Sequence, residues 1–276
     1  MSNSQKFDFK NTQNSVHQIY EELLVPRMFT PLAYLLLDHA QINEGDSVID
    51  IACGPGTVAN AAAKRTGNKG RVMGLDISPA MLDVAKSKPH LEGNAKIEYG
   101  ESPAYPLQAD DDAFDVAVCQ QGLQFFPDRI EALKEMLRVT KQDGRIAAAV
   151  WGPIEDCELF FQLYSAMAET IPSEIAEMLK APFYLHNREE IARLACEAGF
   201  KNANVKTVSF PLVFEQGMKQ ASRVLEAAPF FPQIKELPQA AQDALNQSIQ
   251  SRLQPFLKSD EIHVQMVSHI LLNGEW

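Results

Sequence analysis

From Ser47 onward, short apolar runs alternate with segments whose apolar residues recur every three or four positions. SVIDIA (47–52) is an apolar run holding a single acid, the pattern of a strand buried on both faces. TVANAAAKRT (57–66) has helical spacing. RVMGLDI (71–77) predicts a second strand, and PAMLDVAKSK (79–88) a helix with Pro79 in its first turn. KIEYGE (96–101) and FDVAVCQ (114–120) predict two further strands. Asp128 suits a helix N-cap, with Glu131 three residues on as capping-box partner. That helix continues through Leu133 and Leu137, and Asp143-Gly144 turns the chain into a fifth strand, RIAAAVW (145–151).

The rhythm changes on either side of this region. Residues 1–14 are polar and are expected to fray. Residues 15–41 carry apolar positions at helical spacing, interrupted by Pro26 and Pro31, and predict two short helices. After Trp151, residues 156–181 are helical in pattern and rich in aromatics, and NREEIARLACEAGF (187–200) is an amphipathic helix with Gly199 near its end. NVKTVSFPLVF (204–214) and EIHVQMVSHILL (261–272) predict the last two strands. Between them, residues 216–257 predict helical pieces broken by Pro229, Pro232, Pro238 and Pro255. Strands alternating with helices imply a parallel sheet covered on both faces. The expectation is one α/β domain over 1–276, with a mostly parallel seven-stranded sheet. Its parts are N-terminal helices over 15–41, a core over 42–152, helical lid segments over 153–202 and 215–258, and last strands at 203–214 and 260–272.

Charge and composition narrow the chemistry. Lys+Arg is 25 and Asp+Glu is 36, and 25 − 36 = −11. An acidic surface repels phosphate backbones, so a nucleic-acid partner is not expected. Cys53, Cys119, Cys157 and Cys196 form no C-x-x-C pair and sit at no metal-ligand spacing with histidine, so four reduced thiols and no metal are expected. The polar N-terminus has no apolar signal core, and no apolar run approaches the ~20 residues that span a bilayer. A cytoplasmic protein without a membrane span is the expectation. The sequence leaves the oligomeric state open.

Ligands of parallel sheets bind beyond the carboxyl ends of the strands. The loops of interest therefore begin near Ala52, Asp76, Gly100 and Cys119. GPGTVA matches G-x-G-x-x-A, the turn of dinucleotide-binding Rossmann folds. Asp50, Asp76 and Glu101 lie at three consecutive strand ends. A cleft lined by acids suits a pyrophosphate poorly and a cation-bearing nucleoside better.

DIACGPG, LDIS, YGESPAYPL, FDVAVCQQGLQFFPD and LRVTKQDGRIAAAVW stand in the order and spacing of class I S-adenosylmethionine (SAM)-dependent methyltransferases. The sequence most resembles the branch related to ubiquinone- and menaquinone-biosynthesis methyltransferases. The resemblance implies a Rossmann-like sheet and SAM as cofactor. It implies that Asp50, Ala52, Cys53, Gly54, Pro55 and Gly56 hold the methionine end. It places Asp76 on the ribose hydroxyls, with Ile77 and Met81 against the adenine. Gly100, Glu101 and Ser102 fall near the adenine amino group, where the family usually has Asp-Ala. Gln120, Gln121 and Gly122 border the sulfonium. The family's Pro-Gly-Gly before the fifth strand is here Gln142-Asp143-Gly144.

The methyl acceptor is less defined. Where methyltransferases acting on nucleobase amines or glutamine side chains carry Asn/Asp-Pro-Pro-aromatic, this chain has Cys119-Gln120-Gln121-Gly122. With the charge, this points to a small-molecule acceptor. No general base announces itself among His17, His39, His90, His186, His263 and His269. His186 and Tyr20 are the candidates, each balanced by a plain packing or surface role. The aromatics Phe160, Phe161, Tyr164, Phe183, Tyr184, Phe230 and Phe231 suit either packed helices or an apolar pocket. Phe29, Gln124, Phe125, Phe183, Phe230 and Phe231 are the candidate acceptor contacts, with Tyr20. Two other readings stand beside a methyltransferase: a regulatory SAM-binding protein without transferase activity, and an NAD-type oxidoreductase.

Overall fold

The computed structural model describes residues 19–274. The expectations for residues 1–18, including the frayed segment and His17, lie outside the described residues. The chain divides into two compact units. Among the described residues, one comprises 19–28, 153–184 and 209–267; the other comprises 29–152, 185–208 and 268–274.

The second unit is built on the alternating pattern. Its strands are β1 (Ser47–Ile51), β2 (Arg71–Asp76), β3 (Lys96–Glu101), β4 (Phe114–Gln120) and β5 (Thr140–Trp151). They are joined by α2 (Thr57–Thr66), α3 (Pro79–Ser87) and α4 (Arg129–Val139), and preceded by α1 (Thr30–His39). With β6 (Asn204–Phe214), β7 (Leu257–Lys258) and β8 (Glu261–Leu272), the sheet has eight strands in the order β3-β2-β1-β4-β5-β8-β6, with β7 paired to β8. The pairs from β3 through to β5 are parallel, and β8 runs antiparallel to β5 with Trp151 opposite Ser268. The seven expected strands are all present. The eighth is the two-residue β7, which closes a hairpin on Glu261 and Ile262. Every residue of β1 is buried, as its apolar run predicts for a central strand.

Three local departures have physical causes. Residues 140–144 belong to β5 and do not form a free turn: Phe114 pairs Thr140 while Val116 pairs Arg145, so the extra residues bulge. A Cβ on Gly144 would lie 2.5 Å from Thr140 Cγ2 and 2.9 Å from the Asp115 and Lys141 carbonyl oxygens, so the bulge needs a glycine. Pro26 does not break the N-terminal helix. It lies inside a π-helix, Tyr20–Phe29, that runs directly into α1. Proline has no N–H for the carbonyls behind it. Arg27 Nη1 donates to those of Glu22 (3.2 Å) and Leu23 (3.3 Å) instead. The third departure concerns the helix over 188–198, which the sequence grouped with the lid segment 153–202. Its apolar face, Ile191, Leu194, Ala195 and Ala198, joins the core formed by Ile49, Leu133, Met136 and Ile146, so it belongs to the sheet-bearing unit. Asn187 caps its first turn by accepting from Glu190 N–H at 2.8 Å.

The first unit is mainly helical. α5 (Glu158–Thr170) is followed by the short α6 (Ser173–Ala176), and α7 names the 188–198 helix of the other unit. After β6 come α8 (Met218–Ala221), α9 (Phe231–Lys235) and α10 (Gln239–Leu253). α5 packs on α10 through buried Leu159, Leu163, Ala166, Leu245, Ile249 and Leu253. Arg252 and Ser248 both bond Glu169 across that pair. Pro232 lies in the first turn of α9 and Pro238 is the N-cap of α10, so these prolines open helices. Among the described residues, no helix is long and apolar enough to cross a membrane.

Candidate active site

The carboxyl end of β1 turns sharply. Ala52 (φ 57°), Gly54 (φ 51°) and Gly56 (φ 79°) all adopt left-handed conformations before α2 begins. Such backbone costs an alanine about 1–2 kcal/mol, and glycine much less. The turn is held by Cys53 N–H on the Leu75 carbonyl (3.0 Å) and Gly56 N–H on the Cys53 carbonyl (2.9 Å). Above Gly54 the space a Cβ would enter is open to 4 Å. At Gly56 the same position is filled by Tyr99, whose Oη would be 2.4 Å away. The loop therefore has a packed side and a free side, and Gly54 marks the free one. The opposite wall is equally close. A Cβ on Gly122 would meet Ala52 Cβ and Cys119 Sγ at 2.8 Å each.

Two acids anchor this turn. Asp50 is 1% exposed; its Oδ2 accepts from Ala59 N–H at 2.9 Å, and its Oδ1 has no partner. Burial pushes its carboxyl well above the ordinary range, the Ala59 bond opposes this, and Asp76 adds repulsion. Asp76, at the end of β2, accepts from Gly54 N–H (2.7 Å) and Ser78 N–H (2.8 Å). Burial raises its carboxyl as well, against the bonds from Ser78, Gly54 and Ile77. Ser78 caps α3 by accepting from Met81 N–H at 3.4 Å. Ile77, between them, is 45% exposed, an apolar surface beside a buried carboxylate. Glu101, the last residue of β3, is exposed, whereas Ser102 is buried with its N–H on the Asp76 carbonyl (3.0 Å) and its Oγ accepting from Gln108 N–H (3.1 Å).

The end of β4 supplies the amides. Gln120 Nε2 donates to the Phe29 carbonyl at 3.0 Å. Gln121, itself left-handed (φ 59°), accepts at Oε1 from Gln124 Nε2 at 2.9 Å. Arg129 Nη2 donates to the Gln124 carbonyl at 3.0 Å. The rings of Phe29 and Trp151 pack against each other in a tilted arrangement, with centroids 6.1 Å apart and planes at 56°. Buried polar atoms without a partner, among the described residues, are Asp50 Oδ1, Thr57 Oγ1, Gln120 Oε1, Gln121 Nε2, Gln124 Oε1 and Arg129 Nε. They sit at the carboxyl ends of β1 and β4, in the loop after β4, and on the first residues of the helices that follow. Native proteins leave few such groups unsatisfied, and their gathering at adjoining strand ends makes this the candidate ligand site. Three are acceptors, two are donors and the Thr57 hydroxyl is both, which suits a ligand bearing donors as well as acceptors. Burial holds the neighbouring thiols protonated: Cys119 is pushed up to about 12, and Cys53 is raised too. Neither is a thiolate nucleophile.

The structure thus brings Asp50, Ala52, Cys53, Gly54, Pro55, Gly56, Asp76, Ile77, Met81, Gly100, Glu101, Ser102, Gln120, Gln121 and Gly122 into one unit, with Phe29, Gln124 and Phe125. His186 is an exposed residue of the same unit. Tyr20, Phe183, Phe230 and Phe231 belong to the other. Phe183 packs on Phe160 with centroids 5.3 Å apart, and Phe230 is 2% exposed. Sequence reasoning missed Thr57, Arg129 and Trp151. Thr57 carried a usable signal, a hydroxyl on the first helical residue after the glycine turn. Trp151 carried none, because a tryptophan closing a buried strand reads as core.

Comparison with known proteins bears on this geometry. The sequence profile of the ubiE/COQ5 methyltransferase family matches residues 33–219. The demethylmenaquinone methyltransferase of Staphylococcus aureus is 29% identical over 177 residues, 60% of this chain and 72% of that protein. A putative methyltransferase from an antibiotic biosynthesis pathway of Anabaena variabilis shares the fold with a TM-score of 0.61 at 17% identity, over 89% of this chain and 97% of its own. The phosphoethanolamine N-methyltransferase 2 of Haemonchus contortus, solved with S-adenosylhomocysteine, gives 0.59 at 21% identity over 96% of this chain. The chain spans 58% of that enzyme's length.

Proposed function

The chain belongs to the ubiE/COQ5 methyltransferase family and is a SAM-dependent methyltransferase, and from that premise we propose that it methylates a small apolar or aromatic organic acceptor by in-line displacement. Family membership sets aside the NAD-type oxidoreductase and the regulatory protein without transferase activity. The observation that carries the acceptor reading is the end of β4, where the Gln120 amide holds the carbonyl of Phe29 and the Phe29 ring packs on Trp151. The S. aureus relative, named for demethylmenaquinone, favours an acceptor of that kind.

When bound, SAM supplies a methyl group already activated on a sulfonium. The residues here have to bind, orient and exclude water. The unpartnered Asp50 Oδ1 and Thr57 Oγ1 suit the donors of the methionine end, beside the open face of Gly54. Asp76 accepts from the backbone N–H groups of Gly54, Ser78 and Ile77, which still leaves acceptor capacity for a ribose hydroxyl. Exposed Ile77 and half-buried Met81 offer apolar surface to the adenine, with Ser102 and Glu101 at its edge. Gln120, Gln121 and Gly122 complete the reacting side.

The test is transfer of labelled methyl from SAM to a panel of phenols, quinols, aliphatic amines and carboxylates. Turnover is expected on the aromatic members. Turnover confined to amines or carboxylates would overturn the acceptor class and leave the methyltransferase standing.

A further inference from the structure

Gln121 and Gln124 are 9% and 5% exposed, and one hydrogen bond joins them. That bond uses an N–H of Gln124 and the oxygen of Gln121. It leaves Gln121 Nε2, a donor, and Gln124 Oε1, an acceptor, both buried without partners. Exchanging nitrogen and oxygen on both amides reverses the roles and still leaves one donor and one acceptor, so the conclusion does not depend on how either amide is assigned. Buried amides this costly to leave open are conspicuous in a packed fold. The remainder of their surroundings is already fixed, since Arg129 holds the Gln124 carbonyl and Gln121 N–H holds the Ala149 carbonyl at 2.8 Å.

We propose that the Gln121–Gln124 amide couple recognises a hydroxyl group on the aromatic acceptor. A hydroxyl is the simplest group that donates and accepts through one atom. It would donate to Gln124 Oε1 and accept from Gln121 Nε2. A methyl ether lacks the proton and leaves the acceptor amide open, and a plain hydrocarbon leaves both open. The couple is therefore a specificity element, rejecting acceptors by what they fail to satisfy. The inference rests on the aromatic-acceptor reading above.

The test uses the full chain loaded with S-adenosylhomocysteine, and calorimetric titration with 1-naphthol and 1-methoxynaphthalene. The wild type is expected to bind 1-naphthol at least tenfold more tightly than its ether. Gln124→Leu should erase that preference while S-adenosylhomocysteine affinity stays within twofold, and Gln124→Glu, which keeps an acceptor oxygen, should retain it. Equal binding of the two probes by the wild type overturns the inference and leaves the aromatic-acceptor reading intact. Failure of both probes to bind, together with turnover only on amines or carboxylates, overturns both. A Gln124→Leu protein that loses S-adenosylhomocysteine with its fold unchanged assigns the couple to the cofactor and refutes the proposal.

Discussion

Asp50 is a costly residue. Its carboxylate is buried, near Asp76, and half its hydrogen-bonding capacity is unused. Its folded-state pKa lies above the unfolded value, so the group costs nothing while protonated. The cost grows as pH rises from about 4, the unfolded carboxylate value, through the folded pKa. Asp50→Asn should therefore melt close to wild type near pH 4 and increasingly above it toward pH 8, while SAM affinity falls at least tenfold. Melts across that range check the sign, and a gap that narrows with rising pH would refute it. The glycines separate differently. Gly54→Ala should cost about 1–2 kcal/mol through its left-handed backbone and still abolish SAM binding, because the new methyl enters open space on the ligand side. Gly56→Ala should lose more stability, since its Cβ displaces Tyr99 from its 3.2 Å bond with Asn60. Denaturation curves beside SAM titrations distinguish the two, and equal stability losses would refute the packed-side argument. Asp50 and the glycines were legible in the sequence from their spacing. Ala52 in a left-handed turn was not, because nothing local marks an alanine for positive φ, and the residue that leaves room for its Cβ, Gly122, is seventy residues away.

At the scale of elements, the strands and caps were the most readable part of the chain. Asp128 caps α4 by accepting from Glu131 N–H at 3.0 Å, and Asn187 and Gly199 bound α7 as their types suggest. The clamp on the loop after β3 was not readable, because its partners are side chains on α4 and carbonyls of unrelated sequence. Arg138 donates to the Ala109 carbonyl (2.9 Å) and the Leu107 carbonyl (3.2 Å), and pairs with Glu135. Glu135 Oε2 in turn accepts from Leu107 N–H at 2.6 Å. Arg138 holds the Glu135 carboxyl below its usual range. This fixes residues 102–112, including the Gln108 N–H that bonds Ser102. Arg138→Ala should destabilise by about 1–3 kcal/mol and weaken SAM binding severalfold by loosening that loop. Hydrogen exchange should rise over 102–112 and stay unchanged over β1. Unchanged exchange in the loop would show that the clamp holds nothing.

Across the whole molecule, the sheet-bearing unit followed from periodicity, whereas the helical one was read as helix and assigned to lid segments. The reason is physical. Parallel strands buried on both faces leave near-continuous apolar runs, whereas the helices of 153–184 and 209–267 bury stripes that say little about what they pack against. Phe230 shows the difference. In a segment broken by Pro229 and Pro232, it was a candidate acceptor contact. In the structure it precedes α9 and is 2% exposed. That burial is what a core phenylalanine shows, and it gives a sharp expectation. Phe230→Ala should cost about 3–5 kcal/mol, the usual price of deleting a buried aromatic ring. The residues proposed to hold the cofactor all lie in the other unit, so SAM affinity at a temperature where the variant is folded should stay within twofold of wild type. A thermal melt and a SAM titration measure the two quantities. A variant that melts like wild type but has a raised Michaelis constant for an aromatic acceptor would overturn the core assignment and return Phe230 to the acceptor contacts.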